Sequence, residues 1–331
     1  IKEGQVMDKY DNKNFDMVLE YITPEVSSVL HKISSFKKSI IEEIRLKNNK
    51  PLLVCCNGND YFVSKAGELK EDNHNALIIT SYQLQNTFQI ISNYSVYAFE
   101  EEIKSGFITL KGGHRVGIAG KVIYGMDGIE TIRNISSLNI RIAKELTGVS
   151  DSVMKFILTK NNSIYNTLIV SPPQCGKTTL LRDIVRNISD GMPQYNFKGI
   201  KVGLVDERSE IAGVYNGMPQ KNIGLRTDIL DGCLKSDGII ILIRAMSPNV
   251  IATDELGRPE DIEAIHEALK CGIKIISTVH GDDLEDIFRK KILGEIIEEK
   301  IFQRIIVLDN SKGVGTIKEI IDGITFKSLM Y

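Results

Sequence analysis

Apolar and polar residues follow two different rhythms along this chain. In the first part, short runs with strand-like alternation lie between glycine turns. Val26 to Ile33 reads as a short helix, and Ile41 to Leu46 as a strand at period two. Asn48-Asn49-Lys50-Pro51 makes a turn, and Leu52 to Cys56 returns as a second strand. Ser81 is placed to cap a helix running to about Ser92, with Leu84, Phe88 and Ile91 on one face. Gly106 to Ile123 reads as a hairpin turning at Gly112-Gly113, and Ile132 to Ala143 as a further strand. These elements predict an α+β domain over 7–147; Ile1 to Val6 precede Met7 and are left out of it.

Beyond Leu146 strands alternate with helices. Thr147-Gly148-Val149-Ser150-Asp151 reads as the linker, with Ser150 or Asp151 able to cap the next helix. Strands are predicted at Tyr165 to Val170, Lys201 to Val205, Val250 to Thr253, Ile273 to Thr278, Phe302 to Leu308 and Thr316 to Ile321. Helices are predicted at Lys177 to Ile188, Asp228 to Leu234, Gly238 to Met246 and Pro259 to Lys270. This alternation over 148–331 predicts a mostly parallel sheet covered on both faces, with ligands at the carboxyl ends of its strands.

The four strand ends that carry chemistry all lie in this second part. Ser171-Pro172-Pro173-Gln174-Cys175-Gly176-Lys177-Thr178-Thr179 fits the phosphate-binding pattern G-x-x-x-x-G-K-[ST] except at its first position. In such a loop successive backbone N–H groups surround phosphates, and the helix that follows adds the positive end of its dipole. Pro172 to Thr179 are the candidate nucleotide contacts, with Lys177 neutralising the β- and γ-phosphates and the Thr178 hydroxyl holding Mg²⁺. Ser171 stands where glycine is expected, and a left-handed backbone there would cost about 1–2 kcal/mol, so either the loop does not need that geometry or nucleotide affinity is lowered.

Val250-Ile251-Ala252-Thr253-Asp254-Glu255 is an apolar strand ending in two acids. Asp254 is suited to hold Mg²⁺ and Glu255 to polarise an attacking water. Val202 to Arg208 ends in a second acidic pair, Asp206-Glu207, which competes for the same role or forms an ion-pair network with Arg208. His280, after the strand ending at Thr278, is placed to contact a γ-phosphate or to serve the fold alone. Arg208, Arg226 and Arg244 are near enough in sequence to line the site.

Bulk properties narrow the reading. Apolar residues make up 42% and charged residues 25%, enough for a sizeable core. A net charge of -2, no tryptophan and 7% aromatics disfavour a protein whose main task is to coat nucleic acid. Cys55, Cys56, Cys175, Cys233 and Cys271 form no C-x-x-C pair, which points to free thiols in a reducing compartment. No apolar run approaches the ~20 residues of a membrane-spanning helix, and no leader pattern opens the chain. The expected location is cytoplasmic, at a membrane only through partners.

Taken in order, the four segments resemble the ATPases of type II and type IV secretion and pilus systems. Their phosphate loop, acidic box, Walker B segment and His box correspond to Ser171–Thr179, Val205–Glu210, Val250–Glu255 and Ser277–His280. A closer resemblance within that superfamily is to a sporulation family of endospore-forming bacteria. It is carried by S-P-P-Q-C-G-K-T-T, by V-D-E-R-S-E-I-A-G at Val205 to Gly213, by T-D-E-L-G at Thr253 to Gly257, and by G-G-H-R-V-G-I-A-G at Gly112 to Gly120. Asp254 stands where secretion ATPases usually carry glycine.

The resemblance implies a RecA-like P-loop ATPase domain behind a smaller α+β domain. It implies a homo-oligomer, a hexameric ring that uses ATP and Mg²⁺ to support a channel complex between mother cell and forespore. It further implies a place on the mother-cell side, against the integral-membrane proteins of that complex. In related motors arginines of the first domain reach the nucleotide, so Arg115, Arg133 and Arg141 are candidates to act in trans. The expected roles are Glu255 for activating water, Glu207 and His280 assisting, and Arg208 and Arg244 lining the site. Two alternatives stand beside this: a nucleotide-gated scaffold with little hydrolysis, and a RecA-like motor on nucleic acid.

Overall fold

The computed structural model describes residues 12–126, 128–143, 146–311 and 313–330. The chain divides into two compact units, Ile1–Lys144 with Tyr215–Gln220, and Glu145–Val214 with Lys221–Tyr331. A single break at 147/148 therefore leaves out one feature: a short stretch of the later chain belongs to the first unit. There, the Gly112 N–H donates to Gln220 Oε1 at 2.8 Å.

The first unit contains β1 (Ile41–Lys47), β2 (Lys50–Pro51), β3 (Leu53–Cys56), β4 (Asn59–Val63), β5 (Leu69–Lys70), β6 (Ile78–Ile79), β7 (Phe107–Thr109), β8 (Arg115–Gly125) and β9 (Gly128–Arg141). Seven of them form one sheet in the order β5-β4-β3-β1-β9-β8-β7, and every neighbouring pair is antiparallel. Strands β2 and β6 pair separately. Gly112 and Gly113 turn the β7–β8 hairpin at φ 84 and 75, where glycine carries no Cβ penalty. Phe15, Leu30, Ile44, Leu46, Leu84, Ile108 and Ile140 meet in one core. The helix Ser81–Ile91 is capped by Thr80 rather than Ser81. The Thr80 hydroxyl accepts from the Gln83 N–H at 3.2 Å, and the Gln83 side chain accepts in return from the Thr80 N–H at 3.0 Å.

The second unit contains β10 (Thr167–Ser171), β11 (Gly191–Met192), β12 (Phe197–Lys198), β13 (Val202–Asp206), β14 (Thr227–Asp231), β15 (Val250–Thr253), β16 (Lys274–His280), β17 (Arg304–Asp309) and β18 (Thr316–Asp322). Its large sheet runs β14-β13-β15-β16-β10-β17-β18; all neighbours are parallel except β17 and β18. Strands β10, β13 and β15 are buried along their whole length, as a sheet covered on both faces requires. Thr227–Asp231 is the strand β14, not part of a helix over 228–234. It lies at the sheet edge and is only partly buried, so its short run Thr-Asp-Ile-Leu-Asp lacks a strand's alternation. The helix that follows starts at Lys235 and ends at Ala245.

The linker expectation is changed in its chemistry. Ser150 does sit at the N-cap of the helix Asp151–Ile157, but its side chain makes no capping bond. Its hydroxyl donates instead to Asp183 Oδ2 at 2.8 Å, on the helix Lys177–Asp190. The N–H groups of Gly148 and Ser150 also donate to that carboxylate, at 3.1 and 2.8 Å, and Arg186 Nη2 pairs with it at 2.7 Å. Burial works against ionising Asp183, but these donors outweigh it and hold its carboxyl below the usual range. Asp183→Ala is expected to lower stability by about 2–4 kcal/mol, read from a denaturant midpoint, because buried donors lose their acceptor.

Candidate functional site

Strand β10 delivers the chain to the carboxyl edge of the sheet, and the helix Lys177–Asp190 starts six residues after Ser171. Between them the loop needs left-handed backbone at two places, Gln174 at φ 62 and Gly176 at φ 87. Ser171 is not one of them. It is the fully buried last residue of β10, paired with His280 of β16, and its hydroxyl donates to the Pro172 carbonyl at 2.8 Å. The strain expected from serine at this position is therefore absent. Pro173, Gln174, Gly176, Lys177, Thr178 and Thr179 line a pocket of about 400 Å³, together with Glu210, Glu255, His280 and Val314. Cys175 faces inward and is buried.

At the mouth of this loop the Lys177 side chain, only 9% exposed, meets two of the other strand ends. Its ammonium donates to Glu255 Oε1 at 2.8 Å and lies 2.6 Å from His280 Nε2. His280 Nε2 is itself 2.8 Å from Glu255 Oε1, and Arg208 Nη1 is 3.2 Å from Glu255 Oε2. Glu255 follows directly on β15 and Asp254, with φ 26, a conformation rare for a residue with a side chain. Its N–H donates to Thr278 Oγ1 at 3.0 Å, which fixes that turn against β16. Burial raises the Glu255 pKa, but the bond to Lys177 and the nearby cations more than reverse this. The carboxyl stays below its ordinary value and is ionised at neutral pH.

Asp254 sits behind this cluster and is 4% exposed. Burial raises its pKa, with Glu255, Glu210 and Glu207 adding to the effect; Lys235 opposes it. Its Oδ1 has no hydrogen-bond partner, and the Lys235 ammonium is 3.6 Å away. A buried carboxylate oxygen with an open acceptor, beside a phosphate loop carrying Thr178, fits a divalent cation held jointly with phosphates. Glu207 pairs with Lys235 and with Arg258 Nη2 at 3.6 Å. Arg208 reaches Glu255 rather than the acids beside it in sequence.

Residues 12–326 match the family described as Sporulation stage III, protein AA. The chain is also 41% identical over 305 residues to stage III sporulation protein AA of Bacillus subtilis, covering 92% of this chain and 94% of that protein. The chain belongs to this sporulation family. Its fold is that of the secretion-type P-loop ATPases. The pilus retraction motor PilT with bound ADP superposes at a TM-score of 0.54 and 15% identity, over 86% of this chain and 76% of that one. The ATPase DotB of Legionella pneumophila superposes at 0.52 and 16% identity, over 81% and 72%.

In this family member Asp206 is the acid that builds the turn after β13. It is fully buried, and its carboxylate accepts from the N–H groups of Glu210, Ile211 and Ala212 at 2.8 to 2.9 Å. Arg182, from the helix after the phosphate loop, clamps the same turn through the carbonyls of Glu210 and Ile211. Burial pushes the Asp206 carboxyl up to about 6, against the pull of those N–H groups. The folded state thus holds the proton more tightly than the unfolded chain between about pH 4 and 6. Stability is expected to fall as pH rises through that window, by about 2–3 kcal/mol at 1.36 kcal/mol per pH unit. Denaturant midpoints from pH 4 to 7 check this, and Asp206→Asn is expected to flatten the profile.

Lys235, which the sequence reading passed over, is 6% exposed and joins Glu207 to Asp254. One signal was available: a lysine in the first helical turn opposes the helix dipole and needs carboxylates to justify its place. Two other residues are placed away from the site. Arg244 is exposed in the last turn of the helix Lys235–Ala245, which leads into the start of β15 and so lies at the opposite edge of the sheet from Glu255. Arg226 donates to the Ser189 carbonyl at 2.9 Å, at the far end of the phosphate-loop helix. Arg115, Arg133 and Arg141 belong to the first unit. Arg115 and Arg141 face each other across β8 and β9; Arg115 lies 3.7 Å from the Phe107 ring centroid, and Arg141 pairs with Glu43 at 3.2 Å. Arg133 is exposed.

Proposed function

We propose that this chain hydrolyses ATP to ADP and phosphate as a Mg²⁺-dependent motor with a RecA-like catalytic domain. The observation that carries the reading is the meeting of Lys177, Glu255 and His280 at the mouth of the phosphate loop. The backbone N–H groups of Gln174 to Thr179 that remain available would hold the phosphates, with Lys177 neutralising their charge. Thr178 and Asp254 would hold Mg²⁺, which draws charge from the phosphate oxygens. Glu255 takes a proton from the attacking water, and His280 positions that water or the terminal phosphate. Arg208 steadies Glu255, while Glu207 acts through Lys235 on Asp254.

We further infer a homo-oligomeric ring, six-membered by analogy with secretion motors, in which one of Arg115, Arg133 or Arg141 completes a neighbour's site. By family membership the ring would support a sporulation channel complex from the mother-cell side, docked on its integral-membrane proteins. No helix among the described residues is long and apolar enough to cross a membrane. The experiment is phosphate release across a range of protein concentrations. Specific activity rising steeply with concentration supports shared sites in a ring. Tight ATP-dependent assembly without turnover would replace the motor with a nucleotide-gated scaffold.

A further inference from the structure

The sheet order gives the phosphate loop two distinct flanks. On one side of β10 lie β16 and β15, whose ends carry His280 and Glu255 to the Lys177 ammonium. That side receives the terminal phosphate. On the other side lie β17 and β18, joined by a turn that folds back onto the loop. The Gly315 N–H donates to the Cys175 carbonyl at 3.0 Å, and a Cβ on Gly176 would stand 3.1 Å from Val314 Cγ1. The turn is thus in contact with the phosphate loop at its glycine, and Val314 lines the same pocket as Lys177 and Thr178.

Val314 is 73% exposed, so its side chain is open to contact from within that pocket, and the Gly315 N–H bond next to it ties its backbone to the loop. The pocket that holds Lys177, Glu255 and His280 at one end continues along the loop to Val314 on the opposite flank. We propose that Val314 is the apolar shelf on which the base and ribose of a bound nucleoside triphosphate rest, so that this residue between β17 and β18 is part of the nucleotide site. This rests on the nucleotide-binding reading above and adds the part of the ligand that the phosphate loop does not touch.

The shelf separates recognition of the nucleoside from recognition of the phosphates, and the test uses that separation. Affinities of the full chain for ATP and for inorganic triphosphate, each with Mg²⁺, are compared between the wild type, Val314→Asn and Val314→Ile. The expected result is ATP binding weakened about five- to tenfold in Val314→Asn, preserved in Val314→Ile, and inorganic triphosphate unaffected in both. Equal weakening for both ligands would make Val314 a prop of the phosphate loop and overturn the shelf. Unchanged ATP affinity in Val314→Asn would overturn it as well. Failure of the wild-type chain to bind either ligand would overturn the nucleotide reading itself, whereas tight wild-type binding with either of the two preceding results removes only the shelf.

Discussion

Lys177→Met is expected to lower ATP turnover by at least about a hundredfold and to weaken ATP binding, measured by phosphate release and by titration with ATP. Lys177 is the one described cation that touches both Glu255 and His280, from a side chain held almost out of solvent. In that setting an ammonium interacts with phosphate charge far more strongly than at an exposed position. Methionine keeps the length and apolar stem of the side chain, so the loop retains its packing and the loss reports on charge. The variant also leaves Glu255 with only Arg208 and His280 beside it, which raises the carboxyl toward its ordinary value without displacing it. Turnover within a few-fold of wild type would remove the phosphate loop from the chemistry.

Glu255→Gln is expected to bind ATP at least as tightly as wild type while turning it over about a hundred- to ten-thousandfold more slowly. Glutamine preserves the acceptor toward Lys177 and the N–H bond to Thr278 Oγ1, so the strained turn after β15 stays in place. It cannot accept a proton at neutral pH. It also competes less with phosphate for Lys177, since its amide oxygen carries no charge whereas the wild-type carboxylate and a bound phosphate are rivals for the same ammonium. Normal turnover in this variant would transfer the role of base to Glu207. The geometry argues against that outcome, because Glu207 pairs with Lys235 and Arg258 and, unlike Glu255, does not line the pocket at the phosphate loop.

The strand–loop–helix around Gly176-Lys177 is legible in the sequence because its geometry is local. A strand, a glycine at the left-handed position and a helix starting on lysine are consecutive in the chain, and so are Asp254 and Glu255 at the end of β15. Partners of charged groups were not legible, since they are set by strands far apart in sequence. Arg208 was read beside Asp206 and Glu207, yet it crosses to Glu255, 47 residues on. Asp206 was weighed as a rival metal ligand, whereas its oxygens are taken by three backbone N–H groups of its own turn. Ser171 was judged by the glycine of a pattern, although its place in β10 requires only an extended backbone. The edge strand β14 escaped because an edge is half wet, and the periodicity that marks a buried strand fades there.

The stretch Tyr215–Gln220 carries a consequence for how the protein is made. The first unit is nearly complete in sequence by Lys144, but its Gly112 N–H finds an acceptor on Gln220, 108 residues later. A chain leaving the ribosome can therefore form the antiparallel sheet early, while its last contacts wait until β10, the phosphate loop and β13 have also been synthesised. The first unit is thus finished only after part of the second has been made, and a gene split after Lys144 would separate a domain from a piece of itself.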